Sequence, residues 1–295
     1  MTGSIAENSI CLALDVKCIG NSRKLRDDQI EVEADKEMIK AAKKLLDAPE
    51  LDAIKSLDAE MRNWLGKRAL PSMFKSGIYL IPISLVQDVD AKLQEYQENR
   101  SGKVQSFVSS YERIKADAQQ RLNGVYNEKD YPSAEKVEQL FSVKSSYVTF
   151  GTPAALQQIS SSLWEREKEK AEKQWKEAGE EIRIVLRESM KKLVDHMVER
   201  LASTEDGKPK IFRDSLIGNM QEFLELFNAR NITGDAELEE LANKAKAIMK
   251  GADPSKIRAS TDTRETIKNA FESIKANLDT MVIDRPSRQI KIDDE

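Results

Sequence analysis

Histidine, the side chain that titrates nearest neutral pH and so serves most often in proton transfer, occurs once in this chain, at His196. One imidazole cannot complete the His-Glu-x-x-His pair of a zinc hydrolase, nor the two Glu-x-x-His motifs of a ferritin-like di-metal centre. No Gly-x-x-x-x-Gly-Lys-Ser/Thr run and no Gly-x-Gly-x-x-Gly run is present, so neither phosphate-cradling loop is available. What remains is contact chemistry. Lys67, Arg68 and Lys75 lie near the apolar run that starts at Gly77-Ile78, where they read first as a solvated loop and otherwise as contacts for a phosphate or an acidic partner surface. Trp164 and Trp175, eleven residues apart, fall on roughly one side of a helix, which suits packing against a partner better than lining a cofactor box. Arg285, Arg288 and Lys291 add cations near the C-terminal end. The expectation is a non-enzymatic protein with no catalytic, cofactor-binding or metal-binding residues.

Those side chains need elements to carry them, and the composition favours helices. The 295 residues hold only 12 Gly and 8 Pro, too few for a turn-rich all-β fold. Hydrophobic residues make up 40% and charged residues 33%, enough for a core beneath a densely charged surface. The formal net charge of −4 lowers the weight of a general nucleic-acid binder, which carries a basic excess. Cys11 and Cys18, at an odd spacing in one apolar run, point to opposite faces of a strand and are not expected to bond to each other. Two cysteines and no signal peptide read as reduced and cytoplasmic. No apolar run reaches the roughly 18 residues that span a bilayer.

The organising stretch is Pro153 to Ser203. Leu156, Ile159, Leu163, Ala171, Trp175, Ala178, Ile182, Val185, Leu186, Met190, Leu193, Met197 and Leu201 recur in steps of three and four, the spacing of one helix face. Thr152 as cap and Pro153 in the first turn mark its start. A helix that long runs about 75 Å at 1.5 Å per residue. A second run, Val86 to Leu122, keeps nearly heptad spacing and ends at Asn123-Gly124, a left-handed cap signal, with a break expected at Arg100 to Lys103. The two predict an antiparallel, coiled-coil-like pair over 84–204, with residues 123–152 as a tip insert. The charge run Glu165 to Lys170 reads as its solvated face.

Around this pair, alternation over Ile10 to Cys18 predicts a strand, and Gly20-Asn21-Ser22 a turn. Two helices flanking Pro49, one carrying Met38 to Leu46 and one Leu51 to Leu65, predict a helical hairpin. Ile78 to Pro82 reads as a short strand held to a sheet edge by Pro82. These make a small α/β base over 1–83. Apolar helical spacing in 210–283 predicts a C-terminal helical bundle, and 284–295 is a polar tail. The fold class is mainly α.

The succession Lys44 to Asp47, Trp64-Leu65, Leu70-Pro71-Ser72-Met73-Phe74, Gly77 to Pro82 and a long helix with Phe107 and Tyr111 resembles a helical family of unknown function borne by phages, plasmids and bacteria. Gly20 to Leu25 fits that family's glycine-basic-leucine turn, and the likeness covers roughly residues 10 to 200. Members tend to be encoded beside a MoxR-type AAA+ ATPase and a von Willebrand A-domain protein, so the resemblance implies an accessory role around an ATPase remodelling machine. It transfers no catalytic residues. The expectation is thus a scaffold or adaptor that presents a helical rod to protein partners, a AAA+ ATPase among them, and assembles as a homo-oligomer. The alternatives are a phage nucleic-acid-associated protein using Lys67, Arg68 and Lys75 or Arg285, Arg288 and Lys291, and a structural virion component.

Overall fold

The computed structural model describes residues 5–32, 34–35, 38–71, 77–204, 208–250 and 253–282. In chain order these form α1 (Ile5–Asn8), β1 (Ser9–Lys17), β2 (Ser22–Lys24), β3 (Ala42–Lys44), α2 (Pro49–Arg68), β4 (Ile78–Pro82), α3 (Val86–Leu122), α4 (Ala134–Val137), β5 (Ser142–Val148), α5 (Ala155–Ile159), α6 (Ser161–Leu201), α7 (Asp214–Arg230), α8 (Ala236–Met249), α9 (Pro254–Ala259) and α10 (Thr261–Met281). The protein is mainly helical with little sheet. Lys75, Arg285, Arg288 and Lys291, and with them the tail 284–295, lie outside the described residues. The chain divides into two units, one of residues 1–13, 65–87 and 147–295, the other of 14–64 and 88–146. Each is built from discontinuous stretches, unlike the contiguous segments 1–83, 84–204 and 210–283.

Strand β1 falls where the alternation places it. It pairs antiparallel with β4 in the register Ser9↔Pro82 to Ala13↔Ile78, and the sheet order β4-β1-β5 leaves β4 at an edge, as Pro82 requires. The expected helical hairpin does not form. Only its second helix exists, as α2, whereas Ala42–Lys44 is a strand paired with Ser22–Lys24. The reason is local hydrogen bonding. Asn21 accepts from the Leu46 N–H at 2.6 Å and donates to the Leu46 carbonyl at 2.8 Å, while the Leu45 N–H reaches the Asn21 carbonyl. Leu45 and Leu46 thereby bury without helical backbone.

In the second unit, α3 is one unbroken helix. The break expected at Arg100 is absent because Arg100 is a core residue. Its guanidinium, 5% exposed, makes 2.7 and 3.1 Å bonds to Asp58 and donates to the Lys17 carbonyl at 2.8 Å. Asn123, with φ 42°, takes the left-handed position that ends the helix. The apolar face of α3 packs through Val104, Phe107, Tyr111, Ile114 and Ala118 against Leu45, Leu46, Leu51, Ile54, Tyr131, Val137 and Phe141. Tyr131, Val137 and Phe141, within the segment expected as a tip insert, therefore form part of this core. Tyr111 and Tyr131 donate to the carbonyls of Pro132 and Leu45, both at 3.0 Å, and burial pushes the Tyr111 hydroxyl up to about 12.

In the first unit the predicted 51-residue helix is interrupted. Ser160 sits in extended backbone (φ −161°, ψ 117°) and its hydroxyl caps the Leu163 N–H, so α5 stops and α6 starts afresh with 41 residues, about 60 Å. The C-terminal half of α6 buries Ala178, Ile182, Val185, Leu186, Met190, Leu193, Val194, Met197 and Leu201. These share one core with Leu216, Met220, Phe223 and Phe227 of α7, Leu241 and Ala245 of α8, Ile257 of α9 and Phe271, Ile274 and Leu278 of α10. Antiparallel ion pairs, Lys191 with Asp279 and Lys275 with Asp195, run along the α6–α10 seam. α3 is closed by its own unit, and α6 by α7 to α10.

Candidate partner-binding surface

Upstream of Ala178, α6 changes character. From Ser161 to Glu177 no side chain is buried, and only Leu163, Trp164, Glu167, Ala171 and Trp175 are even half-covered. Their four-residue spacing continues the stripe that is buried further along, so the helix face is the same but none of the described residues buries it here. The exposed flanks carry Lys168 with Glu172 and Lys173 with Glu177 at i,i+4, and Lys170 bonded to Glu167 at 2.7 Å, contacts that hold a helix without a core.

Phe150, Pro153 and Leu156, on the segment leading into α6, face Leu163, Ala171 and Trp175 across an open groove of about 460 Å³. Phe150 is 38% exposed and Ile159, on α5, 74%. The charged groups at the groove pair with each other. Lys170 hydrogen-bonds Glu167 and holds its carboxyl below the usual carboxylate range. The groove thus offers mainly apolar contact. Trp175 also borders a second hollow of about 530 Å³ with Ile5, Gly179, Arg183 and Ile232. There Gly179 lets α1 close on α6, because a Cβ at that position would lie 2.4 Å from the Ile5 Cδ1.

Of the residues singled out in the sequence, Trp164 and Trp175 both lie on this half of α6. Trp164 is half-covered, with the Lys168 ammonium 5.2 Å from its ring centroid. Lys67 and Arg68 are elsewhere, in the last turn of α2, and both engage Glu222 of α7 at 3.1 and 3.6 Å. His196 accepts a hydrogen bond from Arg200 at 3.1 Å, a contact within one helix turn. Cys11 and Cys18 are both free, and burial pushes the Cys11 thiol up to about 11. Among the described residues no group of three metal-ligating side chains converges, and no helix is long and apolar enough to cross a membrane.

Sequence reasoning missed the groove itself, since Phe150 reads as the end of a small strand and Pro153 as the first turn of the long helix. It also missed the anchor of α6, in which Arg187 grips Asp235 at 2.6 and 2.9 Å while Asp235 caps α8 at the Leu238 N–H. An Asp-x-x-Leu start to a helix was the available signal for the cap; the arginine partner, 48 positions away, left none. In comparison with known proteins, no protein-family model matches the chain, and neither a curated protein nor a solved structure matches it.

Proposed function

We propose that this protein is a non-enzymatic scaffold or adaptor that presents the N-terminal half of α6 to a protein partner. The observation that carries the reading is the change at Ala178, where a face filled by α7 to α10 becomes an open apolar groove on the same helix. An apolar stripe flanked by alternating charges suits an amphipathic helix laid along it. The coiled-coil-like antiparallel pairing expected for residues 153–203 is then completed between molecules, with a second copy of this chain as the first candidate and a homo-oligomer as the result. α7 to α10 act in this reading as a C-terminal helical bundle that holds the base of α6.

The resemblance of residues 10 to 200 to the phage- and plasmid-borne family supports a cytoplasmic accessory role beside a MoxR-type AAA+ ATPase and a von Willebrand A-domain protein. Neither the virion reading nor the nucleic-acid reading draws on a specific contact; Lys67 and Arg68 already hold Glu222. The test is a photo-crosslinking residue at Leu163, irradiated in extract of the native host. It should join the chain to other protein chains, whereas the same residue at Asn269, on the exposed side of α10, should not. Equal labelling at both positions, or none at Leu163, counts against the adaptor reading.

A further inference from the structure

α10 runs antiparallel to α6, and its C-terminal end is fixed beside Arg187. Lys275 pairs with Asp195, Lys191 with Asp279, and the Arg187 guanidinium donates to the Met281 carbonyl at 3.4 Å. Val282 leaves the helix in extended backbone (φ −97°, ψ 115°), on a course toward Ala178, where the buried stripe of α6 gives way to the open one. Residues 283–295 follow in the sequence, and Pro286 opposes a return to helix. Apart from that proline their apolar residues are Ile283, Ile290 and Ile292, the last two spaced to share one side of an extended chain. Length decides what these two can reach. At 3.3 Å per residue they come about 26 and 33 Å beyond Val282. Ala171 and Leu163 lie about 24 and 36 Å from Arg187 along α6, at 1.5 Å per residue. The isoleucines therefore match the open stripe and the groove beside it. On the way, Asp284 comes level with the exposed Arg183 and Arg285 with the exposed Glu180, opposite charges each time.

We propose that residues 283–295 fold back along the open half of α6 as an intramolecular strap, seating Ile290 and Ile292 between Leu163 and Ala171. The strap takes the same stripe that a partner would take, so it competes with association and sets its strength. The competition rests on the reading of that stripe as an association surface; the placement of the strap does not. Because the strap is tethered, its hold is independent of protein concentration, whereas association grows with it. Two isoleucines are a light cover, so association at micromolar concentration is weakened and not abolished.

The experiment places a leucine-sized diazirine side chain at Ile290 of the full chain and irradiates an equal mixture of light and isotope-labelled heavy chains at nanomolar concentration. Crosslinks should fall on α6 between Leu163 and Trp175 and join light to light and heavy to heavy. Crosslinks between light and heavy chains, crosslinks to other elements, or none would overturn the strap. Sedimentation velocity then tests the competition. A chain truncated after Val282, and the double variant Ile290→Asp, Ile292→Asp, should each reach half-association at a concentration about tenfold below that of wild type. Equal or weaker association in both, beside a wild type that does associate, would overturn the competition. Truncated and wild-type chains that both stay monomeric would refute the association reading and leave the crosslink to decide the strap by itself.

Discussion

The two longest helices of the molecule are written in the same apolar spacing and end up differently. One face of α3 is buried from Val89 to Ala118, and even its polar interruption at Arg100 is absorbed by Asp58. α6 is buried only from Ala178 onward, and its first seventeen residues carry a stripe that no described element of their unit fully buries. Periodicity alone says that a face is apolar. Whether it is filled depends on what the rest of the chain can bring to it, and the unfilled half is where binding has room to occur.

Substitutions can break or sharpen that contrast, and the largest effect is expected in α3. Asp58→Ala would strand the buried Arg100 and should cost about 4 kcal/mol, measured by urea unfolding. Leu186→Ala in the filled half of α6, fully buried, should cost about 3 kcal/mol by the same measurement. Next comes Asp235. Its burial acts to raise its pKa, but the bonds from Arg187 and the Leu238 N–H win and hold it below the ordinary value of 3.8. A carboxyl lowered in the folded state contributes stability above its unfolded pKa and loses it as pH falls through the folded one. Asp235→Asn should therefore melt lower than wild type at neutral pH, with the gap closing below about pH 4. A gap of the same size at pH 3 would contradict this. The smallest change is expected in the open half: Trp164→Ala should shift stability by less than about 0.5 kcal/mol.

Much of this was legible in the sequence, for reasons that particular residues make clear. Alternation over Ile10 to Cys18 and the proline at 82 gave β1 and an edge strand, because period two and a missing N–H act locally. Steps of three and four gave α2, α7, α8 and α10 within a few residues. What was not legible came from partners distant along the chain. Leu45 and Leu46 have helical spacing, but Asn21 captures their backbone just past β3 and no helix forms there. Ser160 breaks the long helix by capping the next one, a choice that a serine between two apolar turns does not announce. Arg100 reads as a break until Asp58, 42 positions earlier, is seen to neutralise it. Of the candidate site, the two tryptophans were visible as a helical pair, whereas the groove needed Phe150 and Pro153 brought across from Leu163, Ala171 and Trp175.

The claim that the open half of α6 is an association surface is tested most directly by sedimentation velocity over the micromolar range, comparing wild type with the double variant Leu163→Glu, Trp164→Glu. Glutamate suits the first turn of a helix, so the variant should keep its fold and melting temperature. Wild type is expected to self-associate with a concentration-dependent sedimentation coefficient, and the variant to sediment as a monomer. A wild-type protein that stays monomeric throughout, or a variant that associates as well as wild type, would contradict the account.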